Sequence, residues 1–402
     1  INTITRRIEE RFDIRMSLGT MFATDDYRPW LSGARGDIEW YYWERYRRFL
    51  KNKKFPPGVI RSMDSITDQI LDHIENPHKE GKWARKGLVV GHVQSGKTAN
   101  YIGIINKAAD SGYRVIIILA GMINSLRNQT QERVDSGFIG RCSEGKYDIG
   151  VGLIIKDKGP VFFTTKSKDF SRQIANQIGV EINNLREPVV LVVKKNPHTL
   201  KNLIEWLQYN NPHNLKDNPM LLIDDEADHA SINTKKDTDE VTTINRRIRE
   251  LIRLFPRSSY LGYTATPFAN VFIEPETDID MLGDDLFPRD FIISLDPPDN
   301  YIGPGRIFTD ERDLDIVREV NDYADIFPLK HKKELSPEKL PVSLQDAVIC
   351  FILGRALRIL RGQKKEHNSM MVNVSRFTAV QTKIKYLVDE YLKEITQSVS
   401  NY

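Results

Sequence analysis

The sequence predicts an α/β fold: a mostly parallel sheet with helices on both faces. Three observations predict it. Short apolar runs, Val115 to Ala120 and Val189 to Val193 among them, alternate with stretches of helical periodicity. From Leu88 to Leu119 a strand, a helix and a strand follow one another within about thirty residues, the spacing of a βαβ unit. Between that first strand and its helix lies the glycine-containing segment Gly91-His-Val-Gln-Ser-Gly96-Lys97-Thr98.

Composition narrows the class. The 402 residues hold 58 Lys plus Arg against 55 Asp plus Glu, a formal charge of +3, which excludes a basic tail-type nucleic-acid binder and an acidic disordered chain. Apolar usage of 40% and charged usage of 28% fit a globular protein of roughly two domains. The apolar runs are too short to span a bilayer and no basic-then-apolar leader precedes them, so a cytoplasmic protein without a membrane partner is expected. Cys142 and Cys350 stand far apart with no metal-ligand spacing around them, which argues against disulfides and structural zinc.

Each element follows in order. Residues 1–80 read as a mainly helical extension, with Asp37 to Phe55 interleaving aromatic and basic residues and Met63, Ile66, Ile70, Leu71 and Ile74 at helical spacing. Residues 81–295 read as the main α/β domain. Its strands are expected at 88–90, 114–119, 189–193, 220–223 and 260–263, and its helices at 97–109, near 123–134, at 198–209 and at 242–255. Pro297, Pro298, Gly303, Pro304 and Gly305 open a linker or insertion over 296–340. Residues 341–402 read as the start of a second α/β domain, with helices at 344–360 and 378–395 and a strand at 369–374. The chain starts at Ile1 and stops at Tyr402 without closing that domain, so a piece of a longer protein is expected.

The segment from Gly91 to Thr98 matches the phosphate-binding loop pattern in full, after a strand and at the start of a helix. Gly91, Gln94, Ser95, Gly96 and Ala99 belong to this loop and the opening of its helix, where backbone N–H groups can face phosphate oxygens. Lys97 can reach the β- and γ-phosphates of ATP, and the Thr98 hydroxyl can ligate Mg²⁺. Leu221-Leu-Ile-Asp224-Asp225-Glu226-Ala227-Asp228 is an apolar strand delivering acids to the carboxyl edge of a sheet. Alone, such acids are more often a solvated turn; beside a phosphate loop, Asp225 is assigned to the metal and Glu226 to the attacking water. Gly262-Tyr-Thr264-Ala265-Thr266-Pro267 ends another strand, and its two threonine hydroxyls suit a hydrogen-bonded link to Asp228 or His229, although Thr-Ala-Thr by itself is common.

The motif order, together with Leu126-Arg127-Asn128-Gln129 between them, resembles superfamily-two helicases and translocases. More closely, GLVVGHVQSGKTANYIGIINKAADSGYRVIIILAG, LRNQTQERVD, LIDDEADHASIN, YLGYTATPFANV and DLFPRDFIISLDPP are similar to the endonuclease Z-one domain family of bacterial restriction-modification and phage-defence clusters. The likeness runs from about Trp83 to Pro298, with an echo at Met370 to Phe377. It implies a RecA-like P-loop NTPase domain, the start of a second RecA-like domain, and an ATP-dependent role on DNA. It also implies partners such as a methyltransferase, a nuclease or a second ATPase. The family's late motifs, with the arginines that complete its ATP site, fall beyond this sequence. No nuclease core is recognisable.

Weaker features have plainer readings. Trp40, Tyr41, Tyr42, Trp43 and Tyr46, among Arg45, Arg47, Arg48, Lys51, Lys53 and Lys54, are read as a packed helix before a base-stacking surface. Arg246, Arg247, Arg249 and Arg253 are read as a solvated helix face before a docking site. His92 and His229 have no decisive signal. Three functions stay open: a DNA-dependent ATPase or translocase, favoured by the Thr-Ala-Thr element; a nucleotide-gated assembly switch; and a nuclease in its own right.

Overall fold

The structure, a computed structural model, describes residues 20–24, 27–92, 96–145, 147–178, 182–210, 215–229, 239–266, 286, 288–297, 301–308 and 316–401. The chain divides into two compact units, one reaching Gly303 and the other beginning at Pro304.

In the first unit eight strands form one sheet: β1 (Met21–Ala23), β2 (Trp83–Gly91), β3 (Val115–Ala120), β4 (Val161–Phe162), β5 (Val189–Lys194), β6 (Met220–Asp225), β7 (Arg257–Thr264) and β8 (Phe291–Leu295). Their order is β1-β8-β2-β7-β6-β3-β5-β4, and every pairing is parallel except that of β1 with β8. The helices are α1 (Leu31–Ala34), α2 (Tyr41–Asn52), α3 (Pro57–His73), α4 (Lys97–Ser111), α5 (Asn124–Val134), α6 (Arg172–Ile178), α7 (Pro197–Asn210) and α8 (Asp239–Arg253).

Side-chain alternation along the strands builds two cores. Ile116 and Ile118 of β3, Leu221 and Ile223 of β6, and Leu261 and Tyr263 of β7 share a core with α2, α3 and α4. Val115, Ile117 and Leu119, with Met220, Leu222 and Tyr260, share the opposite core with α7 and α8. Successive strand residues point to opposite faces, so apolar runs without alternation demand cover on both sides. Each such side chain fully buried is worth about 1.5–3 kcal/mol. The expected helices on both faces are therefore present.

Parallel register brings the functional strands level at one edge. Val90 pairs with Thr264 and Asp225 pairs with Tyr263, so β7 sits between the strand entering the phosphate loop and the strand carrying the acids. Behind this edge α4 is anchored to α3 by Lys107, whose buried ammonium meets Asp64 Oδ1 at 2.6 Å and Asp68 Oδ1 at 2.5 Å.

The aromatic and basic segment packs, as read: Tyr42, Trp43, Tyr46 and Leu50 are buried in the core over α4. Arg45 is buried with them and donates to the Phe138 and Lys158 carbonyls. The arginines of α8 divide. Arg246 and Arg253 are exposed, but Arg249 is buried, correcting the solvated-face reading at that position. It follows buried Asn245 by one helical turn and so falls on the covered flank.

The second unit contains α9 (Pro304–Phe308), α10 (Val342–Leu360) and α11 (Thr378–Ser400), with a small core of Phe327, Leu340, Val380 and Ile384. The strand expected at 369–374 does not form. A single apolar run gains strand hydrogen bonds only against a neighbour, and among the described residues none pairs with it. Conversely β1, β4 and β8, at or next to the sheet edges, were not anticipated.

Candidate functional site

The carboxyl edge of β2, β7 and β6 gathers the residues singled out from the sequence. Gly91 ends β2, and Gly96 caps α4 at φ 98°, a left-handed conformation that glycine adopts without a Cβ penalty. Gln94 and Ser95 lie outside the described residues. Lys97 Nζ donates to the carbonyls of Gly91 and His92, each at 3.0 Å. Burial pulls the Lys97 ammonium below its usual range, against the opposing attraction of Asp225, Asp228 and Glu226. Ala99 accepts a hydrogen bond from the Tyr46 hydroxyl at 3.1 Å through its carbonyl, which ties α2 to the start of α4.

Asp225 is the last residue of β6. Burial pushes its carboxyl up, while Lys195 pulls it down, Glu226 adds to the rise and the Tyr101 hydroxyl, 3.3 Å from Oδ2, opposes it. Burial pushes the Tyr101 phenol itself well up, with Thr98 and Thr130 opposing the rise. Glu226 follows at φ 55°, a left-handed conformation uncommon outside glycine. Its carboxylate approaches the end of β3, where a Cβ on Gly121 would lie 3.2 Å from Glu226 Oε2 and 2.8 Å from Leu126 Cδ1, so glycine keeps that approach open.

Asp228 accepts the Thr264 hydroxyl at 2.7 Å and the Thr266 hydroxyl at 2.5 Å. The acid cluster and the Thr-Ala-Thr segment are thus joined by two direct hydrogen bonds. Burial raises the Asp228 carboxyl, but the bonds from Thr266 and Thr264 outweigh it and hold the group below the ordinary range. His229 stands beside both acids, with Nε2 3.6 Å from Asp228 Oδ2 and Nδ1 3.6 Å from Glu226 Oε2. A cleft of about 1080 Å³ runs along this edge, lined by Lys97, Thr98, Asp225, Glu226, Asp228, His229, Thr264 and Thr266.

Four residues at the cleft had no site role assigned from the sequence. Arg133 on α5 donates from Nη1 to Thr98 Oγ1 at 2.8 Å; its presence in LRNQTQERVD was the only signal. Tyr46 and Phe49 of α2 wall one side of the cleft. Lys195, directly after β5, reaches beneath the acid cluster, and a pair of lysines closing a buried strand was the available hint.

Thr98 and Asp225 supply a hydroxyl and a carboxylate, hard oxygen donors that fit Mg²⁺. Among the described residues no group of three or more His, Cys, Asp or Glu is placed to hold a metal ion. A hydroxyl oxygen has two lone pairs, so the Arg133 contact leaves Thr98 one for Mg²⁺.

A mostly parallel sheet with helices on both faces, a phosphate-loop sequence between β2 and α4, and an acid cluster tied to Thr-Ala-Thr define a RecA-like, helicase-type domain. Residues 60–269 match the family model for the type III restriction enzyme res subunit, more than half of the chain, and the chain belongs to that family. Residues 343–402 match the Z1 domain model, making this a helicase-like protein of the restriction and defence type with a Z1 domain. No curated protein sequence matches the chain. Among solved structures, that of a DnaB-like replicative helicase described with its interactions with primase is similar at 12% identity, covering 68% of this chain and 67% of that one. Its TM-score of 0.27 is too low to bear on the fold. Among the described residues no helix is long and apolar enough to cross a membrane.

Proposed function

We propose that the first unit binds Mg–ATP in the cleft at the carboxyl edge and hydrolyses it, and that the protein uses this cycle on DNA within a bacterial restriction or phage-defence system. The observation that carries the reading is the convergence of three separated motifs on one cleft, with Asp228 bonded to both threonines of the third.

In this reading Lys97 exchanges the Gly91 and His92 carbonyls for phosphate oxygens, a stronger charge-assisted pairing. Thr98 and Asp225 would hold the magnesium ion, which supplies charge neutralisation at the phosphates when bound. Glu226 orients and deprotonates the attacking water, and its part-exposed carboxylate leaves room for that water. Asp228, Thr264 and Thr266 carry the state of the cleft to β7, the strand between the two catalytic ones. DNA is the expected macromolecular partner, and a methyltransferase, a nuclease or a second ATPase are the expected protein partners.

The test is Mg–ATP turnover with and without DNA, in the protein and in Lys97→Ala. Turnover that DNA stimulates and Lys97→Ala abolishes supports the reading. Turnover indifferent to DNA but responsive to a protein partner would replace it with an assembly switch, and turnover unchanged by Lys97→Ala would remove the site.

A further inference from the structure

Lys195 lies one residue beyond β5, fully buried, and its ammonium meets three acceptors. Asp224 Oδ1 is at 2.6 Å, the Glu226 carbonyl at 2.7 Å and the His229 carbonyl at 3.1 Å. Its two hydrogen bonds run to the carbonyls, and the contact with Asp224 Oδ1 is an ion pair without hydrogen-bond geometry. Asp224 is equally buried, and its other oxygen accepts the Tyr260 hydroxyl at 2.7 Å.

The two backbone acceptors are the first and last residues of the turn that carries the acid cluster. That turn is closed by the His229 N–H donating to the Glu226 carbonyl at 2.9 Å, and it is docked on β7 by the Ala227 N–H donating to the Tyr263 carbonyl, also at 2.9 Å. Within it Glu226 keeps its left-handed φ of 55°, a conformation that non-glycine residues hold only when their surroundings impose it. An ion pair with Asp224 alone requires one acceptor. The lysine instead grips both ends of the strained turn.

Resting on the ATPase reading above, we propose that Lys195 is a positioning residue for Glu226: by donating to the Glu226 and His229 carbonyls it holds the turn closed and fixes where the Glu226 carboxylate stands in the cleft. It acts through the backbone, since its hydrogen bonds run to carbonyls and its ion pair to Asp224. A lysine suits the task better than an arginine, because a compact ammonium can point three donors at acceptors on different segments while a planar guanidinium is shaped for a fork.

The test removes both buried charges at once, in Lys195→Met/Asp224→Leu, so that neither is left buried alone; apolar replacement of a whole buried pair is compatible with folding. A second form, Lys195→Gln/Asp224→Asn, keeps the pair polar but cannot reach both carbonyls. Amide hydrogen exchange is read at His229 and Ala227 against the strand amides of β3. The account expects the His229 amide to exchange about tenfold faster or more while β3 is unchanged, as for local rather than global opening. It also expects turnover to fall about tenfold with Mg–ATP affinity held within about threefold, the signature of a lost transition-state contribution. A folded form of either pair with parental exchange at His229 overturns the proposal, and so does faster exchange with parental turnover. Failure of the ATPase reading appears elsewhere, in parental turnover that Lys97→Ala and Glu226→Gln leave untouched, and the exchange result stands either way.

Discussion

Strand β3 and the run from Met370 to Val374 read alike as short apolar segments between helices, yet only the first is a strand. β3 pairs with β5 on one side and β6 on the other, and its six residues are completely buried between two cores. In the second unit Met371 is 87% exposed and the run has no strand partner among the described residues. The helices show the same contrast. α4 buries ten residues against the sheet and its neighbours, whereas α10 buries only Val348 and leaves Leu353, Leu357 and Leu360 exposed. Apolar content fixes what a segment gains from burial, but a sheet turns that content into structure, and the same sheet lines up a site at its edge.

The largest effect is expected at that edge. Glu226→Gln keeps the shape of the side chain and loses its basicity, so turnover should fall about 10²–10⁴-fold with near-parental Mg–ATP affinity. Weak binding with preserved turnover would instead make Glu226 structural. Within β3, Ile117→Ala should lower unfolding free energy by about 2–5 kcal/mol, measured by denaturant titration. A loss under about 1 kcal/mol would break the comparison, since the two apolar runs would then be energetically alike.

A smaller effect is expected in the coupling contacts. Thr266→Val removes one of the two hydroxyls on Asp228 and should cut the DNA-stimulated part of turnover about tenfold, the worth of one hydrogen bond to a charged group, with basal turnover nearly kept. Equal loss of both would assign Thr266 to the chemistry. The pH dependence sharpens the picture further. Because burial raises the Asp225 carboxyl, it takes up its proton at a higher pH than an ordinary aspartate, so Mg²⁺-dependent binding should weaken on acidification before the ordinary carboxylate range is reached. Asp225→Asn should abolish that acid limb, and an identical limb in the variant would place its origin elsewhere. Smallest of all, Met371→Ser should change stability by less than about 0.5 kcal/mol.

The legible parts share a property: each is announced within a few residues. The phosphate loop carries its own glycines, lysine and threonine after a strand, and Asp225 and Thr264 stand at the ends of apolar runs that also set their place in the sheet. Lys195 was illegible because its environment is assembled from β6, which lies across β3 from β5. Beside Lys194, whose ammonium bonds the Asn124 side chain at an exposed position, it reads as one more surface lysine. Arg133 escaped for a similar reason, since its partner Thr98 is 35 residues away in sequence, with most of α4, β3 and most of α5 between them. At 369–374 the opposite error arose: local apolarity was strong, and the pairing that makes a strand was missing.

The most direct measurement of the central claim, that three motifs make one nucleotide site, is Mg–ATP binding by the protein and by Lys97→Ala, followed calorimetrically. The ammonium stands at the mouth of the loop on two backbone carbonyls and supports no core, so its removal should leave the fold intact. Binding by the parent and a loss of about a hundredfold or more in the variant is the predicted result, consistent with charge-assisted bonds to phosphate. Equal affinity in the two, with both folded, would contradict the site at its first residue.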